Sequence, residues 1–325
     1  MTRTGWECWA LPLGFALDAA LGDPRGWPHP VRLIGRLVER TERVLRRIVL
    51  RSGRGDRAEL AAGVVLLAVV TFSTGLAVWA ARSLAARLGG AGLLFADALL
   101  ISWGLAARSL AVESLRASEE PDLVRARAEL AMIVGRDTEA LPRPEICRAC
   151  VETVAENCND AVVAPLFWFA VGGPIALWAY KALNTLDSMV GYRDPRYLRL
   201  GWASARLDDL AGLIPARLTW LLLALAALFT GESAPAALRI GWRDGRKHPS
   251  PNAAWGEAAM AGALGVQLGG AATYRGVVSQ KPRLGDPGAP IGPETVRRAV
   301  RVMTTASVIA AALAWAGRSW LLPAA

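Results

Sequence analysis

Histidine and cysteine are scarce: the 325 residues hold two histidines and four cysteines. Both histidines precede proline, as His29-Pro30 and His248-Pro249, a pairing that favours extended or turn backbone. Two isolated loop histidines do not make a zinc set. Cys147 and Cys150 form one C-x-x-C, but no second pair follows at zinc-ribbon spacing. Val151, Val154 and Cys158 share their apolar helix face, so these thiols read as small packing residues. There is no G-x-x-x-x-G-K-[ST] and no G-x-S-x-G, which removes the P-loop and the serine nucleophile elbow. No internal repeat and no long Pro/Ser-rich linker divides the chain, so residues 1–325 read as one domain.

What is abundant is apolar sequence. Hydrophobic residues make up 53% of the chain and charged ones 20%. The apolar residues come in blocks, and roughly 20 in a row suffice to cross a bilayer as a helix. Residues 60–80 and 161–180 carry no charge, 91–107 carry only Asp97, and 210–230 carry Asp208-Asp209 just outside and Arg217 within. A fifth block runs from 303 to 316 and beyond, and a shorter one, 8–21, contains Asp18. The expectation is an all-α, polytopic helical integral membrane protein with about five transmembrane helices plus amphipathic or re-entrant helices. Pro165, Gly172, Gly173 and Pro174 fall inside 161–180, so that block reads as a pair of broken half-helices.

The net charge of +9 is unevenly spread. Ten arginines lie between Asp23 and Glu59, beside an apolar block, the pattern of a cytoplasmic loop under the positive-inside rule. No stripe of base-stacking aromatics accompanies them, so nucleic acid is not a partner. The bilayer is.

Five polar clusters sit beside apolar blocks. The first holds Asp18, Asp23 and His29. The second holds Glu152, Glu156, Asn157 and Asp160, whose acids are four apart and would form a row on one helix face. Like charges in such a row repel, and a hard cation with oxygen ligands would offset this. The third is Lys181, Asn184, Asp187 and Tyr192, a polar face offering a cation, an amide and a carboxylate. The fourth is Arg206, Asp208 and Asp209, where paired acids can hold a metal and the arginine can clamp an anion. The fifth is His248, Asn252 and Glu257, the last an acid opening an apolar stretch.

Taken together, these strings resemble the CobD/CbiB family of cobalamin-biosynthesis membrane proteins. The resemblance rests on LDAALGDP at 17–24, HPVRLIGR at 29–36, VAEN at 154–157 with Asp160, and NTLDSMVGY at 184–192. It continues in GWASARLDDL at 201–210, IPARL at 214–218, HPSPN at 248–252 and GEAAMAGALG at 256–265. One departure is Cys158-Asn159-Asp160-Ala161, where the family is expected to favour Asp-Gly.

The resemblance implies adenosylcobinamide-phosphate synthase activity: ATP-dependent amide ligation of adenosylcobyric acid to aminopropanol phosphate or a related amino alcohol phosphate. It implies ATP and Mg2+, the corrinoid as substrate, a multi-pass protein of the cytoplasmic (inner) membrane, and other enzymes of the pathway as partners. The residues fit such chemistry. Activating a carboxylate needs a magnesium–phosphate centre and cations. The magnesium candidates are Glu152, Glu156, Asp160, Asp187, Asp208 and Asp23. The substrate and ATP contacts expected are Lys181, Asn184, Arg206, Tyr192, Asn252 and Asn157. The amine must lose a proton to a base, for which Glu257 and His248 stand first, then His29, with Asp209 also in the catalytic set. A membrane transporter of a corrinoid or similar solute is the alternative, and a non-catalytic anchor for pathway enzymes a third reading.

Overall fold

The protein is described here from a computed structural model, over residues 7–23, 25–26, 29–51 and 55–321. Pro24, Trp27 and Pro28 of the first cluster, and residues 52–54 of a segment expected to be an exposed loop, lie outside the described residues.

A short 3-10 turn, Glu7–Trp9, leads into α1 (Ala10–Leu21), α2 (Pro30–Arg51), α3 (Asp56–Ala86), α4 (Gly89–Gly104), α5 (Ala107–Glu119), α6 (Leu123–Ala131) and α7 (Arg143–Cys158). A π-helical turn, Asn159–Val163, joins α7 to α8 (Ala164–Val190). Then come α9 (Trp202–Ala211), α10 (Leu213–Thr230), α11 (Ala234–Asp244) and α12 (Ala253–Leu264). Strands β1 (Leu268–Tyr274) and β2 (Val277–Leu284) precede α13 (Pro293–Leu321). Among the described residues, five helical stretches are long and apolar enough to cross a membrane: Asp56–Ala86, Gly89–Glu119, Arg143–Val190, Leu213–Thr230 and Pro293–Trp320. These are the five expected blocks, and α1 is the short doubtful one. The fold is a polytopic helical one with one small hairpin added.

The chain divides into two compact units. Unit 1 comprises Met1–Leu105, Ala164–Gly212 and Leu313–Ala325, and unit 2 comprises Ala106–Val163 and Leu213–Ala312.

In unit 1 the arginine-rich segment is not a loop but the 22-residue helix α2. Pro30 opens it, where a missing N–H costs nothing. Ile34 and Val38 are buried, four apart on the face packed against α3 and α8. Arg32, Arg36, Arg40, Arg43 and Arg47 recur at helical spacing on the exposed face. Glu42 is buried and paired with Arg46 at 2.7 Å and Arg196 at 3.2 Å.

The expected interruption of 161–180 falls at Gly172 and Gly173 inside α8. Gly173 has φ of 67°, the left-handed region that an L side chain resists. Pro174 has no N–H, so the Ala170 carbonyl has lost its helical donor. Arg318 of α13 offers one instead, its Nη1 3.4 Å from that oxygen and its guanidinium carbon 5.7 Å from the Phe169 ring centre. A Cβ on Gly173 would lie 2.8 Å from Arg318 Nη2, so the glycine also makes room for the arginine. Pro165, by contrast, sits in the first turn of its helix and breaks nothing.

The one acid of the 91–107 block is likewise paired. Asp97 of α4 is 5% exposed and accepts from Arg82 of α3 at 2.6 and 3.0 Å, a bidentate bond. The expected effect of Asp97→Leu is a loss of about 3–5 kcal/mol, because Arg82 then loses its bidentate carboxylate. Adding Arg82→Leu should restore most of it. Thermal unfolding of the single and double variants in detergent checks this, and equal destabilisation by both would refute the pairing argument.

Candidate active site

Unit 2 gathers charge around α7, α12 and the hairpin. Gly256 opens the approach: a Cβ there would lie 2.6 Å from the Ala155 carbonyl oxygen of α7. The two helices therefore approach backbone to backbone at Ala155 and Gly256. The residue after each contact point is an acid, Glu156 on one helix and Glu257 on the other.

The hairpin is antiparallel, from Leu268 opposite Leu284 to Tyr274 opposite Val277. Its two-residue turn has positive φ at both Arg275 and Gly276, 50° and 77°, the backbone that suits strand twist. Asp137 holds that turn by accepting from the N–H groups of Arg275 at 2.9 Å and Gly276 at 2.7 Å. The other end is held by Glu152, which is 2% exposed. Its Oε1 accepts from the Gly269 N–H at 2.8 Å and from Arg148 Nη1 at 3.1 Å. Its Oε2 accepts from Arg136 Nη2 at 2.5 Å. Arg148 reaches on to the carbonyls of Gly269 and Ala271 and to Glu145.

Held in this way, β2 brings Lys281 to Glu156 and Glu257. Burial pushes the Glu257 carboxyl up to about 8, and the charges of Glu156 and Glu152 add to it, against Lys281 and Arg136. Burial pulls the Lys281 ammonium down, but Glu257 and Glu156 outweigh it and the net shift is upward. Arg136 behaves alike, with burial opposed and overcome by Glu152. Glu257 makes no side-chain hydrogen bond to a described residue and is 5% exposed, while Glu156 and Lys281 keep half-buried surface. The arrangement is a buried acid–base centre whose innermost carboxyl, that of Glu257, is held well above the usual carboxylate range.

The other expected site residues fall as follows. Glu152 and Glu156 lie on α7 and Asp160 on the π-helical turn that follows it, and the charges of Glu152 and Asp160 both bear on Glu156. Asp160 accepts from Asn159 Nδ2 at 2.6 Å, and Asn159 Oδ1 accepts from Thr219 at 3.0 Å. Asn157 donates back to the Thr153 carbonyl at 3.1 Å. Asn252 Oδ1 accepts from Arg217 at 2.8 Å. His248 Nδ1 accepts from the Ser250 N–H at 3.0 Å, and His29 Nδ1 from the Val31 N–H at 3.3 Å. In a neutral ring the proton is then on Nε2, so each histidine presents a donor. His29 Nε2 lies 3.2 Å from Asp23 Oδ1, without the angle of a hydrogen bond.

In unit 1, Lys181, Asn184 and Asp187 lie along the last turns of α8, with Tyr192 just beyond. Arg206 is exposed on α9, and Asp208 and Asp209 are half-buried on the same helix. Among the described residues, no group of three or more His, Cys, Asp or Glu stands close enough to enclose a metal ion. The expected acids are hard oxygen donors present singly or in pairs. That suits magnesium carried by phosphates, which takes one or two protein carboxylates, and not an all-protein cage.

Lys281, Arg136 and Arg148 were not among the residues singled out from sequence. The available signal was the alternation around Tyr274-Arg-Gly-Val277, a hairpin turn between β-formers.

The class is now clear: a multi-helix membrane protein with a buried carboxyl–ammonium centre on two crossed helices and a hairpin. The CobD/Cbib protein family model matches residues 11–303. "Cobalamin biosynthesis protein CobD" of Pelobacter propionicus is 48% identical over 94% of both chains. The protein of the same name from Klebsiella pneumoniae is 45% identical over 100% of both. "Cobalamin biosynthesis protein CbiB" of Salmonella typhimurium is 46% identical over 95% of this chain and 97% of its own. No solved structure matches. The chain belongs to the CobD/CbiB family.

The raised Glu257 pKa has a consequence for stability. A carboxyl held above its unfolded value stabilises the fold fully below that unfolded value, and the stabilisation is lost as pH rises through about 8. Glu257→Gln removes the dependence. The variant should gain thermal stability relative to the parent between pH 5 and 9. A constant difference across that range would show that Glu257 is not buried as described.

Proposed function

We propose that this chain acts in cobalamin biosynthesis as an ATP-dependent acid–amine ligase of the cytoplasmic membrane. It joins a propionate carboxylate of adenosylcobyric acid to aminopropanol phosphate or a related amino alcohol phosphate. Full-length similarity to proteins named for cobalamin biosynthesis supports the pathway. The observation that carries the chemistry is the crossing of α7 and α12, which sets Glu156 and Glu257 beside Lys281.

The corrinoid carboxylate takes the γ-phosphoryl group of ATP, releasing ADP and leaving an acyl phosphate. The amine then attacks the acyl carbon, phosphate departs, and the amine proton passes to a base. Glu257 is that base. Its carboxyl is matched to neutral pH, where a base is strong enough to take a proton and is still partly ionised. Glu156, beside it, holds the arriving ammonium before deprotonation, and Lys281 steadies developing negative charge. Asp187, Asp208 and Asp209 would hold magnesium, which neutralises phosphate oxygens when bound. Lys181, Asn184 and Arg206 would meet the nucleotide. The bilayer is the protein's solvent, and other pathway enzymes are its partners.

Mass spectrometry on detergent-purified protein supplied with adenosylcobyric acid, aminopropanol phosphate, ATP and magnesium should show the amide only when ATP is present. Glu257→Gln should lower the rate by about 10²–10⁴. The parent rate should climb with pH to a plateau above about 8. Solute uptake into vesicles without any covalent change would replace this reading with transport.

A further inference from the structure

Three tryptophans of unit 2 stand together. The Trp255 ring centre lies 5.3 Å from that of Trp220 and 6.4 Å from that of Trp242. Two arginines share the Trp255 indole. The Arg217 guanidinium carbon is 4.7 Å from its centroid, and that of Arg246 is 5.9 Å from it and 4.4 Å from the Trp242 centroid.

Neither arginine is within ion-pair distance of a carboxylate among the described residues, and Arg246 makes no hydrogen bond to any of them. Their neighbours behave differently. Arg243 and Lys247 are both taken by the buried Asp244, at 2.8 and 2.6 Å. Arg217 is half-buried and bonds only the Leu213 carbonyl at 3.0 Å and Asn252 Oδ1. Two cations on one indole, one of them partly desolvated, repel unless an anion joins them. Stacking fixes the guanidinium planes and leaves their N–H edges to donate. Asn252, the residue preceding α12, gives its side-chain oxygen to Arg217 and not to the first-turn amides. Those amides add positive potential on the same side.

We propose that Arg217, Arg246 and the start of α12 form a phosphate-binding site for a small phosphorylated amine. This rests on the acceptor named above and gives its phosphate a place. Asn252 also ties Arg217 to the end of the helix whose next turn carries Glu257.

The test is calorimetric titration of the full-length protein in detergent with aminopropanol phosphate, with unphosphorylated aminopropanol as control. Arg246 is exposed, so Arg246→Gln should fold, which an unchanged thermal midpoint verifies. It should weaken aminopropanol phosphate about tenfold or more, the worth of a charge-assisted bond, and leave aminopropanol unaffected. Arg217→Lys should weaken it as well, and inorganic phosphate should compete. Unchanged binding in folded Arg246→Gln overturns the site, as does absence of binding to the parent at millimolar concentration. If the variant instead loses only its retention of phosphatidylglycerol in nanodiscs, the arginines serve a lipid headgroup and the proposal falls. A specific loss of phosphate binding with no ligated product upholds the site and sinks the ligase reading.

Discussion

The arrangement of unit 2 depends on how Glu152 is buried. An ionised carboxylate taken from water costs several kcal/mol unless its oxygens are satisfied. Arg136, Arg148 and the Gly269 amide satisfy both oxygens. Because one of these donors is the backbone of β1 and another also binds two β1 carbonyls, the bond that solves the solvation problem also docks the hairpin on α7. Lys281 reaches the acidic pair only because of that docking. The structural acid, the strand and the functional lysine form one chain of cause.

Unit 1 meets the same problem with the same residue type. A carbonyl stripped of its helical donor by Pro174 is met by Arg318, and a lone acid in an apolar helix is met by Arg82. Arginine suits both, since its rigid fork can turn donors to a carbonyl or both oxygens of a carboxylate. The polar atoms within these apolar helices are thus read first as repairs to local solvation. Only those left over after such repairs are candidates for chemistry.

Much of this was legible in the sequence. Apolar block length is a direct consequence of bilayer thickness, so the five spans and the break at Gly172-Gly173-Pro174 could be read residue by residue. Glu257 was legible as an acid in an apolar stretch. The acids Glu152, Glu156 and Asp160 were legible as neighbours, while the π-helical turn that carries Asp160 leaves no local sequence mark. The hairpin was missed because residues 268–284 are short, glycine-rich at one end and held by distant residues, Asp137 and Glu152. Lys281 was missed with it. A lysine becomes a site residue by what surrounds it, and its surroundings here come from α7 and α12.

Two acids of unit 2 show why burial alone does not identify a working group. Asp244 is fully buried, yet its carboxyl is held down to about 2: burial raises it, but hydrogen bonds from Arg243, Lys247 and the Gly285 amide prevail. It is ionised at every physiological pH and is spent on fixing α11 to the end of β2. Glu257 is similarly enclosed, but no donor is turned to it and acids surround it, so it rises to about 8. Environments that push two carboxyls so far apart assign them different work. The histidines add to the contrast, since each uses Nδ1 to accept a backbone amide two residues on and so keeps its proton on Nε2. A base for an incoming amine needs a free lone pair and a pKa near the working pH. Glu257, whose oxygens accept from no described side chain, is the acid that burial lifts toward that range.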